Sequence, residues 1–378
     1  MQNKKVVHMT TVHHPLDPRI FYKECLSLKN AGYNVTLIAP TSSDITGEEK
    51  IEIKTIKNRS NRLHRLICGS IEMYKVAKGI KAAVYHFHDP ELIPIAWMLK
   101  KKGNTVIYDI HEDYQTGIVQ RDYLILPIRK ILAKIYKLVE KIFTKKMELC
   151  LAEKYYKDIY PRGVCILNYP LINKALLKKE RKGETSGKEL LYTGNMTTDR
   201  GALIHAELLN IDPEVYVYCY GKCSVPLADE MNRQAGDNKE RLYISGINRY
   251  LPKKEIDKAY VSKGWLAGLA LFPPTKHYMK KELTKFFEYM TAGIPILCSD
   301  FPEWEKFITK YQCGLTVDPY NSKKIKEALD YLKAHPEEAI AMGERGRKAV
   351  ADNLNWEREE EKLVSWYAKL LRGKNEGE

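Results

Sequence analysis

The sequence has no long hydrophobic run. Its longest, residues 92–99, falls far short of the roughly 18 apolar residues that a membrane-spanning helix needs. The opening Met1-Gln2-Asn3-Lys4-Lys5 is polar and passes straight into a strand-like Val-Val-His-Met. No secretory core is visible there, so the chain is expected to stay in the cytoplasm. The eight cysteines show no CxxC and no His/Cys pairing at zinc-finger spacing, which leaves reduced, buried thiols as the plain reading. No GxGxxG follows the first strand pattern, which argues against a dinucleotide site there, and no HxxxH or HExxH lies on a helix, so no metal is expected. RNP-type, KH and helix-turn-helix patterns are missing, and aromatic and basic residues do not interleave; nucleic acid is not an expected partner. Acidic charge is in deficit, 48 residues against 62 basic ones, for a net +14. That excess calls for anionic company of another kind, phosphorylated ligands or an acidic membrane face.

What is present is globular composition, 44% hydrophobic and 29% charged in 378 residues. At roughly 150 residues per domain this length predicts two domains. Strand patterns at 5–9, 34–39, 84–87, 105–109 and 149–152 alternate with helical stretches, among them 19–31, closed by Gly32. The alternation restarts at 189–193, 215–220, 242–245, 266–272 and 295–298, and 337–371 is largely helical with a break near 353–355. Strands alternating with helices predict parallel sheets covered on both faces. The division falls after Asn168-Tyr169-Pro170, where a lysine-rich polar stretch runs to Gly187. The expected architecture is α/β, two Rossmann-like doubly wound domains, 1–170 and 171–355.

Ligands of such sheets bind beyond the carboxyl ends of the strands. The first strand is followed there by a polar loop, Thr10-Thr11-Val12-His13-His14-Pro15-Leu16-Asp17-Pro18-Arg19, with Asp17 placed to cap the next helix. His86-Phe87-His88-Asp89-Pro90-Glu91 and Tyr108-Asp109-Ile110-His111-Glu112 close two more strands. His88 and His111 could share a rim, with His111 as a hydrogen-bonding or proton-handling group. Residues 128–147 carry apolar residues at helical spacing and lysines on the other face; this reads equally as a core helix with a solvated face or as a face laid on anionic lipid. In the second half, 191–201 is a strand, a turn at Gly194-Asn195 and an arginine, Arg200, at a helix start, which offers backbone N–H groups and a guanidinium to phosphate. Residues 283–297 read as a helix, a glycine and a buried strand. Thr284 is the expected N-cap, and Lys285 is a cation in a first turn where the helix dipole disfavours one unless an anion sits there too. Glu288, a turn deeper, suits a pair of vicinal hydroxyls.

At these residues the chain resembles the retaining GT-B glycosyltransferases of family GT4, the bacterial polysaccharide-assembly branch in particular. Thr284 to Leu297 matches that branch's Pro-Thr-Lys-Leu-Phe-Glu-Tyr-Met-Ala-Ala-Gly-x-Pro-Val-Ile run. Asp17-x-Arg19-Ile20-Phe21-x-Lys23-Glu24, His88-Asp89-Pro90-Glu91-Leu92, Tyr108-Asp109-Ile110-His111-Glu112 and Cys313-Gly314-Leu315-Thr316-Val317-Asp318-Pro319 follow it in order. The departures are Lys280 in place of the first of two glutamates, Leu283 in place of proline, and Asn195 in place of a basic residue.

The resemblance implies two facing domains, with a C-terminal helix, about 356–378, crossing back to the first. The first would bind the acceptor and the second the nucleotide-sugar donor. Arg200, with Gly194 and Asn195 in its turn, would meet the donor diphosphate; Thr284 and Lys285 would hold the same group. Glu288 would bind the ribose, while Gly246 and Ile247 would line the base pocket. His111 would lie beside the transferred sugar, forming the catalytic set with Arg200, Lys285 and Glu288. Asp17, Arg19, His88 and Asp89 would face the acceptor. The implied reaction moves a sugar from UDP or GDP, with its configuration retained and neither metal nor cofactor, to a glycan or lipid-linked glycan. The anionic partner of 128–147 would then be the inner membrane face. A sugar-nucleotide 2-epimerase of the same architecture is the alternative.

Overall fold

The computed structural model describes residues 5–41, 51–111, 126–178, 187–275 and 278–372, apart from the side chains of 126–130. Glu112 and much of the lysine-rich stretch, 179–186, lie outside the described residues. The chain divides into two units, Met1–Asn168 with Trp356–Glu378, and Tyr169–Asn355. The first contains a seven-stranded sheet in the order β3-β2-β1-β4-β5-β6-β7. Its strands are β1 Lys5–Met9, β2 Asn34–Thr41, β3 Glu52–Lys57, β4 Val84–Phe87, β5 Thr105–Ile110, β6 Glu148–Leu151 and β7 Val164–Cys165. The second contains six, β10-β9-β8-β11-β12-β13: β8 Glu189–Thr193, β9 Tyr216–Cys223, β10 Leu242–Ile247, β11 Ala267–Ala270, β12 Ile296–Ser299 and β13 Gly314–Val317. Every pairing is parallel.

Successive residues of each strand enter opposite cores. Val7, Met9, Tyr85, Phe87, Val106 and Tyr108 join one cluster, while Val6, Val84 and Ile107 join the other, as a sheet covered on both faces requires. β3 and β7, absent from the sequence reading, are edge strands. β3 has only Ile56 fully buried, and β7 is two residues long, so neither shows the apolar run by which central strands announce themselves.

The helices that position side chains below are α1 Pro18–Cys25, of π geometry, α2 Leu126–Thr144, α3 Ala202–Ile211, α4 Thr284–Thr291 and α5 Trp356–Arg372. Asp17 caps α1 as expected, accepting from the backbone N–H of Arg19 at 2.8 Å and of Ile20 at 3.0 Å. α5 returns to the first unit. Its Trp356, Leu363, Tyr367 and Leu371 pack with Ile20, Phe21 and Leu28, Trp356 Nε1 donates to Ser27 Oγ at 2.9 Å, and Glu359 accepts the Leu167 N–H at 2.9 Å. All eight cysteines are free.

In both sheets the chain runs outward along one side and then resumes on the other, so the order reverses between β1 and β4 and between β8 and β11. Crevices at such reversals, beyond the carboxyl strand ends, are where ligands bind in open α/β sheets. Because α5 completes a core of the first unit, Leu363→Ala is expected to lower stability by about 2–5 kcal/mol, read by denaturant unfolding with tryptophan fluorescence.

Candidate functional site

In the second unit the reversal point is built from glycine. Gly194 follows β8 with φ +101°, Gly221 lies in β9, and Gly246 lies in β10 with φ +102°. A Cβ on Gly221 would meet the Gly194 carbonyl at 2.0 Å, and one on Gly246 would meet the Gly221 carbonyl at 2.3 Å. Three strand ends thus abut through bare backbone. Gly201, at the start of α3 with φ +76°, leaves 1.8 Å between a hypothetical Cβ and the Leu271 carbonyl, which seats the α3 turn against the end of β11.

Arg200 occupies that turn. Its Nε donates to the Tyr278 hydroxyl at 2.9 Å, and its Nη1 reaches the Asn195 carbonyl at 3.5 Å. Lys285, in the first turn of α4, lays its ammonium over the Tyr192 ring at 3.7 Å and the Phe272 ring at 4.7 Å. Its Nζ is buried with no hydrogen-bond partner. Burial first, and the charge of Arg200 second, push its pKa well below the usual lysine value. Thr284 is not the cap: Leu283 holds the extended cap position without a side-chain bond, and Thr284 is the first helical residue. The leucine that replaces the family's proline therefore sets the entry to the helix, and no side chain competes for its N-terminal end. Glu288 accepts from Tyr260 at 2.8 Å and Lys253 at 3.2 Å, and Tyr260 also bonds Thr193 at 3.0 Å. Ile247, where the β10 register shifts, is 43% exposed. A buried lysine weakened by a neighbouring arginine, beside a helix end without a side-chain cap, is an arrangement that favours an anion.

In the first unit one carboxylate gathers the rim. Asp109 receives Arg19 at 2.9 and 2.7 Å, His88 Nδ1 at 3.1 Å and His111 Nδ1 at 3.1 Å. Burial alone would raise its pKa, yet the Arg19 charge and these bonds hold it well below the carboxylate range. Asp89 accepts from the Thr10 hydroxyl at 2.8 Å and the Thr11 N–H at 2.7 Å, which fixes the loop after β1. His111 Nε2 meets His13 Nε2 at 3.0 Å, and His13 lies 3.4 Å from Asp17.

Arg19, His88 and Asp89 are therefore enclosed, at 4%, 1% and 0% exposure. Expected on the acceptor side, they lie inside the rim, where Arg19 and His88 bond Asp109 and Asp89 bonds the loop after β1, while Arg19 Nη1 and Asp89 Oδ1 are buried without a hydrogen-bond partner. His13, Asp17 and His111 keep side-chain exposures of 19%, 22% and 11%. Asp109, Tyr192, Lys253, Tyr260 and Tyr278 were missed as site residues. Asp109 alone left a signal, an acid in a buried strand between aromatic and apolar neighbours; the others meet the site only through folding.

Residues 232–365 match the family model described as "Glycosyl transferase-like". The fold matches solved structures over almost its whole length. Sucrose-phosphate synthase from Thermosynechococcus elongatus gives a TM-score of 0.70 at 15% identity, over 98% of this chain and 100% of that one. A glycosyltransferase from Rickettsia africae gives 0.72 at 13%, over 98% and 99%. HepE of Anabaena in complex with UDP gives 0.71 at 10%, over 97% and 100%. The fold is GT-B. No curated protein sequence matches the chain. Of the second-unit residues described above, the family match spans Gly246, Tyr260, Tyr278, Lys285 and Glu288, while Gly194 and Arg200 lie before it.

An orphaned buried lysine costs stability and favours anions. Its depressed pKa means that the unfolded chain holds the proton more tightly, so its penalty fades as pH rises. Lys285→Met is expected to raise the Tm of the ligand-free protein while weakening inorganic pyrophosphate binding at least tenfold.

Proposed function

We propose that the chain transfers a sugar from a nucleoside diphosphate sugar to a hydroxyl of a glycan or lipid-linked glycan, with the anomeric configuration retained, in the assembly of a bacterial surface polysaccharide. One observation carries this reading: Lys285 Nζ, buried and without a hydrogen-bond partner, stands with Arg200 beside the α4 N-terminus and the glycine-built strand ends. As the glycosidic bond breaks, its electron pair and charge pass to the diphosphate. Arg200, Lys285 and the α4 amides oppose that charge without a divalent cation, preorganised donors of this kind contributing about 3 kcal/mol each. The leaving oxygen takes the acceptor's proton on the face where the new bond forms. Glu288, with its two present donors, exchanges one for the ribose hydroxyls; Gly246 and Ile247 offer backbone to the base. His111, its Nδ1 turned to Asp109, exchanges the His13 contact of its Nε2 for the sugar. The UDP complex of HepE, of the same fold, supports UDP as donor.

The acceptor side is read from α2. Glu140 and Thr144 face inward, with Glu140 bonded to Tyr136 at 2.8 Å and Tyr160 at 2.7 Å. Ile131, Leu132, Ile135, Leu138 and Ile142 instead remain 41–59% exposed, beside the exposed Lys134, Lys137 and Lys141. No described helix is long and apolar enough to cross a membrane. An apolar stripe flanked by lysines suits the surface of an anionic bilayer, where lipid-linked acceptors reside.

Arg200→Ala and Glu288→Ala are each expected to lower turnover at least about tenfold, near 1.4 kcal/mol, with Tm little changed; near-normal transfer by both would end this reading. A new nucleotide sugar formed without acceptor would assign the epimerase reaction instead. Cosedimentation should rise with the anionic lipid content of vesicles and fall on Leu138→Asp; insensitivity to both would remove the membrane role.

A further inference from the structure

Behind the rim of the first unit lies a second cluster that the transfer reaction does not use. Glu24 on α1, His8 on β1 and His86 on β4 are fully buried, and His88, just after β4, is 1% exposed. One oxygen of Glu24, Oε2, lies 3.8 Å from His8 Nδ1, 3.8 Å from His86 Nδ1 and 3.9 Å from His88 Nε2, and His8 Nδ1 is 3.0 Å from His88 Nε2. The carboxylate–imidazole separations are too long for hydrogen bonds. They bracket, with the shorter one, the ligand–ligand edges of a tetrahedral shell, about 3.3–3.4 Å for zinc bonds of about 2.0–2.1 Å. Glu24, His86, His88 and Asp109 offer ligand atoms all within 4.8 Å of one another.

Two further observations point the same way. Both Glu24 oxygens are buried without a hydrogen-bond partner, an expensive condition for a carboxylate unless a cation answers it. Arg19 does not suffice. Its single guanidinium is shared between two carboxylates, Asp109 at 2.7 Å and Glu24 at 3.0 Å.

We propose that Glu24, His8, His86 and His88 hold one divalent transition-metal ion of the zinc class, with Asp109 outside the shell. Asp109 meets the other nitrogen of His88 at 3.1 Å, the carboxylate–histidine arrangement that orients a metal-bound imidazole. His86 Nδ1 now bonds the Tyr367 hydroxyl at 2.7 Å and exchanges that bond for the ion. All-protein ligation in a closed pocket makes the site structural, tying β1, β4 and α1 together next to the rim that carries His111. It lies in the unit that does not carry Arg200 and Lys285, and it stands whether or not the chain transfers sugar.

The test is the metal content of the purified full chain, measured by elemental mass spectrometry after dialysis, with thermal unfolding of the chelator-stripped protein before and after zinc chloride. The expected result is close to one equivalent of zinc, a Tm that rises when zinc is restored, and loss of the ion in Glu24→Gln and His8→Asn. Cobalt added to the stripped wild type should give the visible bands of tetrahedral coordination, a reading that does not depend on any variant folding. A folded wild type with only trace metal, no Tm response to zinc and no cobalt bands would overturn the proposal and leave a cluster bridged by a trapped proton. Zinc retained undiminished by both variants would overturn it as well.

Discussion

A cation taken out of water must meet an anion or lose its proton, and the two units of this chain answer that demand in opposite ways. In the first, Arg19 is met by the Asp109 carboxylate at 2.7 and 2.9 Å, and the histidines around it are tied into the same arrangement. In the second, Lys285 Nζ has no hydrogen-bond partner among the described residues and lies over the faces of Tyr192 and Phe272. Ring faces ease a buried ammonium without neutralising it. The answered charge ties the rim together, and the unanswered one is where the proposed donor would bring negative charge.

Each arrangement is positioned by the same topological device. Reversal of strand order between β1 and β4, and between β8 and β11, opens the sheet where neighbouring strand ends lead to opposite sides. The first unit fills this opening with side chains from three strand ends and α1. The second keeps it bare: Gly194, Gly221 and Gly246 bring backbones within distances that exclude any Cβ. A site made of backbone can approach a ligand closely and gives up little side-chain entropy on binding.

Much of this was legible in the residues. Strand ends carrying His88, Asp89, His111 and Gly194 stood out because ionisable groups and glycine are rare beside buried β-branched runs. The Thr284–Leu297 run marked the α4 site, and Asp17 marked a helix start. Thr284 as cap was misread because a threonine before a helix has the right chemistry, while the backbone angles that make Leu283 the cap arise from the loop before it. Arg19, His88 and Asp89 read as ligand contacts because polar residues at a strand end look alike whether they face outward or one another.

By itself the sequence determined two alternating α/β halves, their near boundary and the strand ends at which chemistry collects, since these follow from hydrophobic period and from glycine and capping chemistry over a few neighbouring residues; the return of the C-terminal helix came from the resemblance alone. Only the tertiary structure decided which polar side chains are partnered. Asp109 and Arg19 are 90 residues apart and Glu288 and Tyr260 are 28 apart, and whether a charge is satisfied depends on groups brought together from distant segments, a relation that no local pattern records.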